Sequence, residues 1–212
     1  MHRLGLAALA LALVLPAAAR AEEPPHYTFA PTPPGTIVQS QLVYLAGEAM
    51  HSQWRAVLSK VSAQWYLSIY AIDETTYRLK YRSPKSATPF GFDARVDAAS
   101  LTSGELMGPG VQQLVVTSHT PGAGCGSARV DVLFFDAAMQ IVMPTLSLRN
   151  QCRLSVRVIH DAGGTALAVS GPYFAPGSQA CCPTDPNATA ILRFSDGAWS
   201  ESPRYFPIVL GD

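Results

Sequence analysis

The chain has 212 residues, and its 15 basic and 15 acidic side chains leave no net charge. This balance, without a basic patch, argues against nucleic acid as a partner. The 16 glycines and 17 prolines, the many Val, Thr, Tyr and Ser residues and the scarcity of helix formers predict an all-β fold.

The first 21 residues predict a secretory signal peptide of bacterial type. A basic start precedes an apolar run over residues 4–15, and Ala19 and Ala21 form the A-x-A pattern that signal peptidase accepts. We expect cleavage near Ala21 and a secreted or periplasmic product. Because the removed segment contains two arginines and no acid, 13 basic and 15 acidic residues remain, for a net charge of about −2. No later run has the length of a transmembrane helix.

Residues 22–35 are rich in proline and predict an extended, poorly ordered leader. A single β-rich domain is expected over residues 36–212. Within it, apolar residues of the stretch 36–60 fall near helical spacing, and this favours a short helix for part of the stretch, although strands would also accommodate it.

Residues 65–72 and 77–81 predict a β-hairpin with one buried and one wet face, joined by a turn over residues 73–76. Its tyrosines are expected in the core and at its rim rather than in a ligand platform. They are Tyr66, Tyr70, Tyr77 and Tyr81.

Two later segments resemble each other and predict a repeat. Each has an apolar strand (114–116 or 167–169), a Gly/Pro loop with cysteine, and a second strand (130–135 or 190–194) followed by an aspartate. Such self-similarity is typical of a repeat array or propeller. We therefore expect blade-like units near residues 100–136 and 155–199.

The stretch SGELMGPGVQQLVV at 103–116 resembles the blade motif of FG-GAP, or VCBS-type, integrin-like β-propellers, which is roughly G-D-x-[DN]-G-D-G-x-x-D-[LI]-x-V. The resemblance extends over about residues 95–200 and implies propeller blades. The matching positions are Gly104, Glu105, Gly108, Gly110 and the strand 114–116. The domain has room for about three units, whereas closed propellers usually have 4–8 blades. Shorter blades, a β-sandwich, or completion by a partner or by self-association are the alternatives.

The calcium positions of that motif are degenerate. Glu105 offers one carboxylate, but Met107, Pro109 and Gln113 stand where oxygen ligands are needed. Calcium takes about 6–8 oxygen ligands, and a thioether is a poor ligand for a hard cation. We therefore expect a retained turn, with no metal and no cofactor.

Four cysteines in an exported chain predict two disulfides with three alternative pairings. Cys125 and Cys152 lie on either side of a predicted hairpin and favour one bridge. Cys181 and Cys182 would form a vicinal disulfide, or each would pair elsewhere, for instance with Cys125.

No nucleophile elbow of the form G-x-S-x-G is present, and Ser118 and His119 are neighbours on a strand, so their side chains should diverge. We expect a protein that is not an enzyme. The alternative is a thiol-dependent enzyme using Cys125 with His119 or His160 as the base.

The loops 117–127 and 171–188 are the expected binding rim, because binding residues usually lie on loops of a rigid scaffold. The candidate residues are His119, Gly122, Gly124, Tyr173, Phe174 and Asp185. The expected function is an exported non-enzymatic module that binds a protein or a glycan. The alternative is a structural envelope component completed by self-association as a homo-oligomer.

Overall fold

A computed structural model describes residues 27–45, 53–83, 91–92, 95–122, 126–136, 138–150, 152–179, 182–206 and 208–210. These residues form strands, turns and irregular connections and no helix. The described part therefore contains no helix that could cross a membrane. The predicted signal peptide lies outside the described residues. The all-β class predicted from the sequence is confirmed.

The first sheet has the strand order β1-β5-β4-β3-β2. Its strands are β1 (Thr28–Ala30), β2 (Thr36–Tyr44), β3 (Gln53–Val61), β4 (Gln64–Asp73) and β5 (Thr76–Arg82). The last four form an antiparallel meander, and β1 pairs in parallel with β5. The predicted hairpin is confirmed as β4 and β5, and Tyr70, Tyr77 and Tyr81 are all buried.

The short helix predicted for part of residues 36–60 does not occur in the described part of this stretch, which forms β2 and β3. Residues 46–52 lie outside the described residues. The physical reason lies in β3, where the consecutive residues Ala56, Val57 and Leu58 are all fully buried. A strand covered on both faces loses the alternation of apolar and polar residues, and its sequence then resembles a helical face.

The end of the predicted leader is an ordered part of the first sheet, contrary to expectation. The ring of Tyr27 stacks on Tyr77 at a centroid distance of 4.8 Å. The hydroxyl of Tyr70 donates to the carbonyl of Pro31 (3.1 Å), and the guanidinium of Arg82 donates to the carbonyl of Thr32 (3.2 Å). Residues 27–35, called the N-terminal segment below, therefore cover part of the outer face of this sheet.

Nine further strands complete the described fold. They are β6 (Ala98–Gly104), β7 (Gln113–Thr120), β8 (Ser127–Phe135), β9 (Ile141–Asn150), β10 (Ser155–Asp161), β11 (Gly164–Tyr173), β12 (Asp185–Ser195), β13 (Ala198–Ser202) and β14 (Ile208–Leu210). The second sheet has the order β14-β9-β8-β7-β6, and the third has the order β10-β11-β12-β13. All neighbours in both sheets are antiparallel.

The three sheets stack face to face with the second sheet in the middle. The core between the first two sheets includes Leu67, Ile69, Tyr81, Leu114, Val116 and Leu133. The core between the second and third sheets includes Val115, Val130, Val132, Leu167, Val169 and Leu192. The side chains on the two faces of β7 thus belong to different cores, since successive side chains of a strand point to opposite sides.

The first strands of the three meanders lie next to one another, with β6 in contact with both β2 and β10. Glycine allows the approach of β6 to β10. A Cβ added at Gly104 would lie 2.6 Å from Cγ1 of Val158 on β10. The absence of a side chain at this position therefore lets the second and third sheets meet at their first strands.

The two similar segments occupy equivalent places in the second and third sheets. Residues 114–116 and 167–169 are in the second strands, β7 and β11, and residues 130–135 and 190–194 are in the third strands, β8 and β12. Each unit also has a strand before and a strand after those identified from the sequence. The meander β2 to β5 is a third unit of the same form.

The two outer faces of the stack differ. The N-terminal segment covers part of the first sheet, whereas the outer face of the third sheet is largely polar. There the hydroxyls of Ser170 and Thr189 lie 2.8 Å apart, and Arg193 forms an ion pair with Asp161. The first sheet keeps exposed apolar side chains on its edge strand β2, whereas hydroxyls and an ion pair lie on the outer face of the third sheet.

Candidate functional site

Four connections of the second and third sheets meet at one end of the stack, called the loop end below. Their described parts are residues 121–122 and 126, residues 152–154, residues 174–179 and 182–184, and residues 203–206. The register places His119 beside Ala128 and Ala128 beside Asn150, so strand ends gather there. The predicted rim residues lie at this end, except that Gly124 is outside the described residues.

A cleft of about 540 Å³ opens at the loop end beside β11 and β13. Five aromatic side chains line it, together with Ser200, Glu201 and Arg204. The aromatic residues are Tyr173, Phe174, Trp199, Tyr205 and Phe206. We call it the aromatic cleft. Its size lies within the roughly 300–1,000 Å³ that is usual for ligand sites.

The aromatic rings are held by contacts with each other and with one carboxylate. The rings of Tyr173 and Tyr205 lie 5.2 Å apart. Glu201 accepts hydrogen bonds from the backbone N–H groups of Tyr205 (2.7 Å) and Phe206 (2.6 Å). Because hydrogen bonds to a charged group are among the stronger ones, the loop is fixed before any ligand arrives.

The loop 174–184 is held by a second set of bonds. The backbone N–H of Thr184 donates to the carbonyl of Tyr173 (2.8 Å). The Thr184 hydroxyl accepts from the N–H of Ala175 (3.1 Å) and lies 2.9 Å from the hydroxyl of Ser178. Asp185, predicted to be on the rim, instead accepts from the N–H of Asn187 (2.9 Å). Its carboxylate therefore shapes the start of β12.

A second cleft of about 440 Å³ lies on the other side of β11. Gly122, Asp97, Arg153 and Pro172 are among the residues that line it. The guanidinium of Arg153 lies 3.8 Å from the carboxylate of Asp97. Pro172 lines this cleft and its neighbour Tyr173 lines the aromatic cleft, so the end of β11 separates the two.

His119 lies next to this second cleft, and its backbone carbonyl accepts from the N–H of Asp97 (2.9 Å). Burial lowers the pKa of its imidazole and the charge of Arg153 lowers it further, while Asp97 acts in the opposite direction. Its Nδ1 is buried and makes no hydrogen bond within the described part of the chain. The side chain is therefore a neutral ring at neutral pH.

Ser118 and His119 are consecutive residues of β7, where they pair with Ala99 and Ala98 of β6. Because successive side chains of a strand point to opposite faces, these two side chains diverge. Their divergence was predicted from the sequence. The structure does not bring them together as a nucleophile and its base.

Cys152 is buried and disulfide-bonded, and Cys182 is exposed. The other two predicted disulfide cysteines, Cys125 and Cys181, lie outside the described residues. His160, one of the bases considered for a thiol enzyme, lies near the far end of β10, beside the turn at 162–163. That end is the opposite one from the loop end.

The degenerate calcium loop lies at the end of the stack opposite the loop end, and a glutamine organises it. Gln113 is buried, and its side-chain oxygen accepts from the N–H groups of Leu106 (2.7 Å) and Met107 (2.9 Å). Its amide nitrogen donates to the carbonyl of Val111 (3.1 Å). An amide side chain thus joins the backbone of the turn at a position where the motif has an aspartate.

The remaining positions of this loop do not converge on one point. Leu106 is buried in the core between the second and third sheets, and Met107 packs against that core. Glu105 and Pro109 are exposed. No group of three or more His, Cys, Asp or Glu side chains suited to a metal ion occurs in the described ranges.

Sequence analysis did not assign three of the five aromatic residues to a binding site. Trp199 ends the second repeat-like segment, Tyr205 and Phe206 follow it, and the stretch SPRYFPIV lies beyond the last recognised strand. The signal available was the pair Tyr205-Phe206 between two prolines, which predicts a loop bearing exposed aromatic residues.

Comparisons with protein-family models, with curated proteins and with solved structures find no match to this chain.

Proposed function

We propose that the chain is an exported, non-enzymatic binding module whose partner is a protein that inserts an apolar side chain into the aromatic cleft. The observation that supports it is the set of five aromatic side chains around one cleft, two of them on strands β11 and β13 and three on connections that hydrogen bonds hold in place. Tyr, Trp and Arg are enriched among residues that dominate binding energy at protein interfaces.

Preorganisation supports the same proposal. Ordering a loop on binding reduces affinity, and a loop that is already ordered avoids that loss. In the aromatic cleft, Glu201 and Thr184 each receive hydrogen bonds from their own loops. Arg204 is exposed at the edge, where it would pair with an acidic group of the partner.

The export that this proposal includes rests on the A-x-A site and apolar run of the first 21 residues. The propeller resemblance belongs to the proposal as well. It is supported by the motif at 103–116 and by three successive four-stranded meanders whose first strands are adjacent.

The test uses the purified protein against a displayed peptide library and, in parallel, a glycan array. We expect enriched peptides with an aromatic or aliphatic anchor, and a Kd at least about tenfold weaker for Phe174→Ala and for Tyr205→Ala. Tyr27→Ala is the matched control, because Tyr27 is an exposed aromatic residue of the first sheet.

Equal affinity of the Phe174→Ala and Tyr205→Ala variants for the enriched peptide would overturn the cleft as the site. Enrichment on the glycan array alone would overturn the protein partner and assign a sugar ligand to the cleft instead.

A further inference from the structure

The exposed large apolar side chains of the described chain are concentrated on the first sheet. Four of the six belong to β2, and the others are Tyr27 and Val61. The four are Ile37 (43% exposed), Val38 (51%), Leu42 (45%) and Tyr44 (39%). Leu42 and Tyr44 are two residues apart, so they lie on the same face of β2, and neighbouring exposed apolar side chains of this kind favour an interaction site.

β2 is an edge strand, and its nine residues, TIVQSQLVY, contain no charge, proline or glycine. Natural edge strands usually carry a charge, a proline or a bulge that prevents pairing with another chain. The edge strand β10 follows that rule, with Arg157, His160 and Asp161. β2 has a bulge between Ile37 and Gln39, but none over residues 40–44.

The direction of the free backbone groups of β2 follows from Tyr44. Its carbonyl accepts from the N–H of Gln112 (2.6 Å), and its N–H donates to the side chain of Gln112 (3.2 Å). The backbone groups of Tyr44 therefore point away from β3. In an antiparallel pair this direction alternates, so the N–H and C=O groups of Ser40 and Leu42 also point away from β3.

The geometry points to pairing of β2 with β2 of a second copy of this chain, antiparallel and across a two-fold axis at Gln41. Ser40 of one copy then lies opposite Leu42 of the other, and all four residues exchange backbone hydrogen bonds. The pairing joins the two five-stranded first sheets over residues 40–42, because Gln112 already occupies the backbone groups of Tyr44, which would lie opposite Val38 of the second copy. An interface of this kind presents the same surface from both copies.

Gln41 provides an independent observation at the axis. Its side-chain nitrogen is buried and makes no hydrogen bond within the described residues. In the proposed register the two Gln41 residues face each other as a non-hydrogen-bonded pair, with Cβ atoms about 4.5–5.5 Å apart. Because the nitrogen is buried in a single copy, the Gln41 side chain must rotate toward the axis, and at that separation each amide then donates to the other.

A second copy suits this edge better than an unrelated strand for two reasons. Gln112 occupies the groups of Tyr44, so the available groups are those of Ser40 and Leu42, which lie symmetrically about Gln41. The strand is also uncharged, so two copies bring no like charges together. Leu42 and Tyr44 of both copies then form one apolar surface on the outer face.

The test is light scattering coupled to size exclusion over a concentration series of the exported chain. We expect a concentration-dependent dimer, and a dimer Kd at least about tenfold weaker for Leu42→Lys and for Val38→Lys, since each places two lysines at the paired edge. Val61→Lys is the matched control, because Val61 is equally exposed but lies at the end of β3. Thermal unfolding of each variant confirms that it is folded.

A monomer at every concentration would overturn the proposal. A dimer that persists in both folded β2 variants, or that is lost in Val61→Lys to the same degree, would assign the interface elsewhere. Hydrogen exchange gives a further readout that does not depend on any substitution. The amides of Ser40 and Leu42 should become protected as concentration rises, and unchanged exchange would contradict the pairing.

Discussion

The side-chain amide of Gln39 on β2 brackets the backbone of Leu101 on β6. The Gln39 oxygen accepts from the N–H of Leu101 (2.8 Å), and its nitrogen donates to the carbonyl of the same residue. One glutamine thus occupies both backbone groups of Leu101, in the manner of a neighbouring strand. Gln112, just before β7, occupies both backbone groups of Tyr44 with its own backbone N–H as donor and its side-chain oxygen as acceptor. These two glutamines join β2 of the first sheet to the second sheet.

Removal of the Gln39 amide, and with it both hydrogen bonds to Leu101, should destabilise the fold. Gln39→Ala leaves the two backbone groups of Leu101 without partners, and an unsatisfied buried polar group costs about 1–3 kcal/mol. The free energy of unfolding measured with urea should fall by that amount. Gln53→Ala is the control, because the Gln53 amide makes an exposed bond to the hydroxyl of Tyr44. An equal loss of unfolding free energy in the two variants would contradict the role of the Gln39 hydrogen bonds.

Loss of the Gln113 side chain should reduce stability more than loss of Glu105, the acidic residue of the degenerate calcium loop. In Gln113→Leu the N–H groups of Leu106 and Met107 lose their acceptor, for an expected loss of about 1–3 kcal/mol. Glu105→Ala should have little effect, since Glu105 is exposed. The melting temperature should be the same in calcium and in chelator. A rise in calcium that Glu105→Ala abolishes would show that the loop holds an ion.

The contact between Gly104 and Val158 should be visible in a double-mutant cycle. In Gly104→Ala the new methyl group would meet Val158 at 2.6 Å, and overpacking typically costs about 1–3 kcal/mol. Adding Val158→Ala removes the obstructing atoms, so the double variant should be more stable than the sum of the single losses predicts. Additive losses would mean that the β6–β10 approach does not depend on this pair.

His119 should make stability fall in mild acid. Its pKa is lowered in the fold, so the unfolded chain takes up a proton at higher pH than the folded chain does. The stability contribution of the neutral ring is complete above the unfolded pKa of about 6.5. It decreases as the pH falls from there toward the folded pKa. The difference in unfolding free energy between pH 7.5 and pH 5.5 should shrink in His119→Gln, and an unchanged difference would contradict this.

Cys152 should be bonded to Cys125. The register pairs Ala128 with Asn150, and continuing it by two residues brings position 126 opposite Cys152, with Cys125 next to it. Peptide mapping of the protein without reductant should yield a linked peptide that contains both cysteines. A linked peptide joining Cys152 to Cys181 would contradict the pairing and would tie the loop 174–184 to the second sheet.

Local pattern was enough to predict the all-β class, the hairpin of β4 and β5, and the equivalence of the two later segments. These features depend on alternation and turn residues that are close together in the chain. β3 was harder, because Ala56 to Leu58 are covered by two different partners and lack alternation. The described strands include three meanders of four strands each, and the sequence pattern predicted only the two middle strands of the second and third meanders.

The aromatic cleft was only partly predictable, for a different reason. Tyr173 and Phe174 belong to a recognised loop, whereas Tyr205 and Phe206 reach the same place through β13 and the bonds of Glu201. The role of Gln113 was also hidden. From the sequence alone, a glutamine at the position of an acid indicates only a lost metal ligand. The structure shows that this side chain accepts hydrogen bonds from the backbone of Leu106 and Met107.

The position of β14 determines when the second sheet is completed during folding. β14 leaves the third sheet and pairs with β9 of the second, with Ile208 beside Leu148. A chain synthesised or exported from its N-terminus would have every other described strand available by residue 202, with the ten-residue β9 still an open edge. Loss of β14 would leave that edge exposed, so cleavage between β13 and β14 would produce a folded but aggregation-prone molecule.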